Sequence, residues 1–352
     1  MNNEMKSRLI RLLNIYGVSS EEKQVRKYIR KELKPLVDYM KTDDYGNLIA
    51  VKEFGDVENG PVIMLNAHMD TVKGVSKKKV VKEENGIFRA YDRGLKSVLG
   101  ADDRAGIAIV LSIVENVPSS FNGTIKIAFT REEEIGCVGA SQMDDKFYKD
   151  VDLSITFDRR GNKDIVVGTY GVPFCSNEVG NALENISKSN NFEYKCVEGG
   201  ISDAYEFSAY NINSVNLSVG YENEHTKDEF LVYKDMNIAY EFGIAILKDI
   251  SMYDYRGFGD VPKKSNNWVG GYKNKKDKYY YSDYDLGYNN YDSYDNYDNY
   301  GEVDDTPFVW VHKGKVIIDN TLDAVEFDKE HLDSLISQLQ GIKNKINVWG
   351  EI

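Results

Sequence analysis

Apolar positions in the first 250 residues follow two rhythms that alternate along the chain. Leu9, Ile10, Leu12 and Leu13 recur at helical spacing and predict a first amphipathic helix. A second is predicted from about Ser20, with Glu21 and Glu22 in its first turn and Pro35 past its end. Apolar runs then predict strands at 47–54 and 61–67, while the polar stretch 71–91 reads as a hairpin. Ile107, Val110, Leu111 and Val114 share one face of a predicted helix over 102–116. Residues 124–130, 152–157 and 165–169 read as buried strands. Helical patterns return at 174–190, 203–210 and 234–248, with a strand at 214–219 between the last two. Strands alternating with helices predict an α/β fold, a central and mostly parallel mixed sheet covered by helices on both faces.

The rhythm breaks near residue 253. Twelve of the chain's 25 tyrosines lie between Tyr253 and Tyr300, and Tyr288, Tyr291, Tyr294, Tyr297 and Tyr300 recur every third position among Asp, Asn and Ser. With almost no aliphatic residues, this segment cannot bury a core, so 253–306 reads as a disordered low-complexity linker. Such a segment is either a plain spacer or a sticky tether for a protein partner. From Phe308 the pattern is again that of a folded chain: two strands around Lys313-Gly314, then Leu332, Leu335, Ile336, Leu339, Ile342 and Ile346 on one helical face. The expected organisation is therefore a catalytic domain over 1–252, a linker over 253–306, and a small C-terminal α+β module, a β-hairpin plus helix, over 307–352.

Composition narrows the classes. A net charge of −13 argues against a partner bound through its phosphates, since nucleic-acid binding needs clustered Lys and Arg. No apolar run approaches the roughly 18 residues of a membrane span, and the charged N-terminus lacks a signal-peptide pattern. Cys137, Cys175 and Cys196 form no CxxC and read as reduced thiols of a cytoplasmic protein.

Four motifs carry candidate chemistry. NAHMDTV at 66–72 closes an apolar run; a neutral His68 imidazole suits zinc, and Asp70, two positions on, suits orienting it. LGADDRAGIAIV places Asp102 and Asp103 at a helix start, where acids cap helices or, alternatively, one carboxylate bridges two metal ions. AFTREEEIG sets three glutamates after a strand. They read either as a solvated loop or as a metal ligand beside a general base, the cations removing their mutual repulsion. GYENEHTKDEF puts His225 after the strand at 214–219, and Asp158 ends the run SITFD. Two histidines and three ligating carboxylates, each near a strand end, make a coherent site for two divalent ions. His312 and His331 read as ordinary surface or packing residues.

In combination, these motifs over about residues 1–250 resemble the co-catalytic zinc peptidases, especially the peptidase T and aminoacylase-like M20 family, with kinship to the compact M28 and M42 zinc aminopeptidases. The resemblance implies the zinc-peptidase (phosphorylase/hydrolase-like) fold and two Zn²⁺, with Co²⁺ or Mn²⁺ suited to the same ligands. By motif it implies His68 as ligand of one zinc with Asp70 orienting it, Asp102 bridging both, and Asp158 completing the first zinc's ligands. Glu134 and His225 would hold the second zinc, and Glu133 would be the general base. Asp103 and Asp203, the latter in GGISDA, would support these groups from behind, and Glu132 would be an extra acid there or facing solvent.

The chain departs from its larger relatives in its intervals. Only 34 positions separate His68 from Asp102 and 67 separate Asp158 from His225, too few for the inserted or lid domains of those relatives. Glu198 stands before Gly199-Gly200, where peptidase T-like chains carry an arginine, and this favours a substrate with a free α-amino group. The expected function is hydrolysis of short peptides, aminopeptidase-type. The competing readings are a zinc amidohydrolase that deacylates N-acyl amino acids and a non-enzymatic binding protein on the same fold. The oligomeric state stays open, because a missing lid removes the usual dimer surface.

Overall fold

The computed structural model describes residues 2–262 and the backbone of three short strands at 308–312, 315–319 and 324–327. The chain divides into two compact units, residues 1–264 and 265–352. The first opens with helices α1 (Asn3–Leu13) and α2 (Lys23–Leu33), then strands β1 (Tyr39–Thr42), β2 (Leu48–Phe54) and β3 (Val62–His68). A meander of β4 (Val80–Glu84), β5 (Ile87–Asp92) and β6 (Leu95–Ser97) leads to α3 (Ala101–Glu115) and β7 (Gly123–Thr130). The single-turn helices α4 (Val138–Ser141) and α5 (Asp145–Tyr148) precede β8 (Leu153–Arg159), β9 (Asp164–Thr169) and β10 (Val172–Pro173). The unit continues with α6 (Asn177–Ser189), β11 (Lys195–Glu198), α7 (Asp203–Ala209) and β12 (Ser214–Ser218). It closes with β13 (Tyr221–Glu222), β14 (Phe230–Val232) and α8 (Tyr233–Asp249).

Nine strands build the central sheet in the order β1-β2-β7-β3-β8-β12-β9-β10, with β11 beside β9. Its middle strands β7, β3, β8 and β12 are parallel, and antiparallel strands flank them. Alternation along each strand sends side chains to two separate cores. Ile63, Leu65, Ile125 and Ile127 join α1, α2, α3, α6 and α8 on one side. Ile49, Met64 and Ala128 meet Ala140, Tyr148 and Phe207 on the other. Helix α3 is buried from Ala101 to Val114, as a helix apolar nearly all round must be. This is the covered, mostly parallel α/β architecture that the alternation of elements predicts.

The meander β4-β5-β6 joins β14 and β13 in a second, five-stranded sheet. The interval between His68 and Asp102 thus folds as a small sheet pinned to the chain after His225. Among the described residues, neither long interval holds an additional domain. Residues 253–262 stay packed on this unit: Arg256 Nη2 donates to Glu58 O at 2.8 Å and Asn213 Nδ2 donates to Gly259 O at 3.1 Å. The remaining tyrosine-rich stretch, 263–306, and the helix expected after Ala324–Phe327, with His331, lie outside the described residues. In the second unit, Phe308–His312 and Lys315–Asp319 form the antiparallel pair around Lys313-Gly314, and Ala324–Phe327 adds a third strand.

Candidate metal centre and active site

The predicted residues sit where an open α/β sheet places its chemistry, at the carboxyl ends of the parallel strands. His68 ends β3, Asp158 lies one residue from the end of β8, Glu133 and Glu134 follow β7, and His225 follows β12 and β13. Asp102 and Asp103 begin α3, which packs beneath on β3 and β8. They do not sit in a helical turn as a continuous helix over 102–116 would require. Their backbone is non-helical, with φ/ψ of −74°/106° and −116°/43°, and the peptide between them is cis.

That backbone splits the work of the two acids. Asp103 points inward, accepting from the backbone N–H of Gly106 at 2.8 Å and of His68 at 3.2 Å. Asp102 points to the histidines: its Oδ1 lies 2.9 Å from His68 Nε2 and its Oδ2 lies 3.1 Å from His225 Nε2. One carboxylate thus faces two imidazoles, one with each oxygen. His68 Nε2 also lies 3.5 Å from Asp158 Oδ1 and 3.9 Å from Glu133 Oε2, and His225 Nε2 lies 2.8 Å from Glu134 Oε2. Donor atoms of His68, Asp102 and Glu134 fall within 4.8 Å of one another, as do those of His68, Glu133 and Asp158.

Asp70 sits beyond the end of β3 yet still meets His68, its Oδ1 lying 3.2 Å from Nδ1. The same carboxylate accepts the backbone N–H of Glu133 at 3.0 Å and of Glu134 at 3.2 Å, and the Ser19 hydroxyl at 2.8 Å. It therefore fixes the ring and the glutamate turn together. Asp203 accepts from Thr130 Oγ1 and from Asn66 Nδ2, and its second oxygen, buried, has no hydrogen-bond partner.

The cluster holds more carboxylates than cationic groups. Burial opposes a charge on His68, but Asp158, Asp102 and Asp70 outweigh it and hold the imidazole well above its usual range. Burial likewise opposes His225, and hydrogen bonds to Asp102 and Glu134 raise it to about 12. Burial disfavours ionised Asp102, but its contacts with His225 and His68 hold it below the ordinary carboxylate value. Burial and the Asp102 charge push Glu134 up to about 8 and Asp158 to about 7. Burial also lifts Glu133 well above its ordinary value, with Asp158, Glu134 and Asp203 adding to the push against His68. Divalent cations remove this cost by setting positive charge among the oxygens. The donor set fits them, two imidazoles with carboxylates, and Glu134 Oε1, buried without a hydrogen-bond partner, fits as well.

Several contributing residues escaped the motif reading. Tyr221 donates from its hydroxyl to Asp158 Oδ1 at 2.9 Å, and its only signal was an aromatic residue after a strand in GYENEH. Arg104, fully buried, donates to Met69 O at 2.6 Å and Gly17 O at 3.1 Å, tying the DDRAG segment behind the HMD segment. Glu132 does not face solvent. It accepts from Ser20 Oγ at 2.5 Å and from the Tyr45 hydroxyl, anchoring the N-terminal region to the glutamate turn. No local pattern marks Ser19, Ser20 or Tyr45, which reach the site only through the fold.

Comparisons with known proteins identify relatives of this chain, and the family match begins just past His68 and Asp70. Residues 74–242 match the family described as M42 glutamyl aminopeptidase. The chain is 27% identical over 317 residues to a candidate aminopeptidase of Acetivibrio thermocellus, covering 66% of this chain and 94% of that protein. It is 34% identical over 115 residues to peptidase T of Clostridium botulinum, covering 32% of this chain and 28% of that protein. Among solved structures it is similar to aminopeptidase PepT of Bacillus cereus, with a TM-score of 0.62 at 18% identity, covering 71% and 98% of the two chains. At that identity the likeness is one of fold, and it agrees with the mixed α/β architecture.

Proposed function

We propose that this chain is a co-catalytic metallopeptidase that removes residues from the free amino end of short peptides. The family match and the aminopeptidase relatives support a metal-dependent hydrolase of the aminopeptidase type. The observation that carries the finer reading is the Asp102 carboxylate, which presents one oxygen to His68 and the other to His225. In this reading His68, Asp102 and Asp158 hold one cation, and Asp102, Glu134 and His225 hold the other. Zinc suits imidazole and carboxylate donors, and cobalt or manganese suits the same set. The likeness to peptidase T supports kinship with the M20 group beside the M42 match.

Cations held there supply a polarised scissile carbonyl and a water acidified toward neutral pH. The protein's own groups supply the rest. Glu133, its backbone fixed by Asp70, takes the proton of the attacking water and returns it to the leaving nitrogen. Burial around it raises its affinity for that proton. Tyr221 and Asp70 hold Asp158 and His68 in place by hydrogen bonds. We assign this chemistry to residues 1–252.

A substrate pair tests the reading. Purified protein should release the reporter from aminoacyl-reporter substrates and leave their N-acetylated counterparts intact. Release of acetate from the N-acetylated substrate, with the aminoacyl–reporter bond left intact, would contradict aminopeptidase action and point to a deacylase.

A further inference from the structure

We propose that Glu229 is a positioning residue that locks Asp102 and His225 into one rigid unit, an inference resting on the two-cation reading above. Helix α3 has no side-chain cap at Gly100, and its regular turns begin only past Asp103, which accepts from Gly106 N. The N–H groups of the lead-in, Gly100 to Asp102, are satisfied from 127–129 positions away. The Glu229 carboxylate accepts from Gly100 N at 2.8 Å, Ala101 N at 2.7 Å and Asp102 N at 3.3 Å. Glu229 is 1% exposed, so these bonds form out of water, at the positive end of a helix.

The placement matters more than the cap. A local Ser or Asp would satisfy the same N–H groups. A remote glutamate also fixes the loop it comes from. Glu229 N donates to Thr226 O at 3.1 Å, a tight turn that begins one residue after His225. Asp102 is thereby held twice by this loop, at its backbone by Glu229 and at its carboxylate by His225. The loop then runs into Phe230–Val232, which pairs with Ile87–Asp92 and cannot drift.

The other side of the turn is held as well. Lys79 Nζ donates to Leu99 O, just ahead of Gly100. Gly100 adopts φ of +70°, and a Cβ there would lie 3.1 Å from Thr71 Cγ2 and 3.4 Å from Lys79 Nζ. The Leu99–Asp102 turn is therefore gripped at its carbonyl by Lys79, just ahead of β4, and at its amides by the His225 loop. Losing the Glu229 grip lets the bridging oxygens and the His225 ring move independently, so the consequence falls on cation affinity.

Zinc affinity of the whole chain, measured by competition with a chromophoric chelator, tests this. Glu229→Gln replaces one acceptor with an amide donor facing N–H groups, and Glu229→Asp keeps the charge on a shorter arm. Glu229→Gln should weaken zinc binding about 10–100-fold, as loss of a group behind a ligand does, and Glu229→Asp should weaken it less. Zinc-free Glu229→Gln should also melt below the zinc-free wild type, because a buried acceptor of three N–H groups is altered. Unchanged zinc affinity with a lowered melting temperature would make Glu229 a mere helix cap and overturn the proposal. Wild type that takes up no zinc would overturn the two-cation reading and this inference with it, whereas wild type and Glu229→Gln binding equally would overturn this inference alone.

Discussion

At the residue scale, the site's logic lies in which atom of each acid faces which neighbour. Asp102 and Asp103 are adjacent in sequence and opposite in role, one facing two histidines and the other accepting backbone N–H groups of Gly106 and His68. No periodicity argument distinguishes them, and the non-helical backbone at both positions does. The glutamate run divides the same way. Glu132 turns toward Ser20 and Tyr45, while Glu133 and Glu134 turn toward the histidines. Glu133 lies farthest from an imidazole nitrogen among these contacts, 3.9 Å from His68, which suits a base rather than a tight ligand. Glu133→Gln keeps its shape and removes its basicity. The expected result is a fall in kcat by about 10²–10⁴-fold, the usual worth of a positioned proton acceptor. Metal content by elemental analysis should be unchanged, and loss of metal in step with activity would make Glu133 a ligand instead.

At the element scale, the strand ends supply the donors and α3 sets their spacing. His68, Asp158 and the glutamate turn come from neighbouring parallel strands, so their separation is set by strand spacing. Asp102 reaches them only if the start of α3 lies close on the sheet. Gly106 makes that approach possible: a Cβ there would lie 2.1 Å from the Phe157 carbonyl oxygen and 2.4 Å from Asp103 Oδ1. Gly106→Ala should therefore destabilise the fold by about 1–3 kcal/mol, the range for overpacking a tight interior. A lowered denaturation midpoint in urea would register it, and an unchanged midpoint would mean that α3 is not pinned there. Elements were legible in the sequence where apolar rhythm is strong, as in 102–116, 124–130 and 234–248. The short strands Tyr39–Thr42, Lys195–Glu198 and Tyr221–Glu222 were not, because edge and hairpin strands of this length carry little burial pattern.

At the scale of the whole molecule, several distant stretches of chain converge on one centre. The motif residues were readable because their chemistry is uncommon and recurs at strand ends. The residues that hold them were not, because Ser19, Glu229 and Arg104 act through contacts across 51, 127–129 and 34–87 positions. The 12 tyrosines between 253 and 300 remain largely outside the described residues, and the chemistry proposed here is complete without them. In the two-cation reading, Asp102 joins both sites. Elemental analysis of the purified chain, dialysed against trace zinc, tests this. Two zinc ions per chain are predicted, falling to one or fewer in His225→Ala with His68 untouched. Wild type that holds no more than one zinc, or His225→Ala that keeps two, would contradict it.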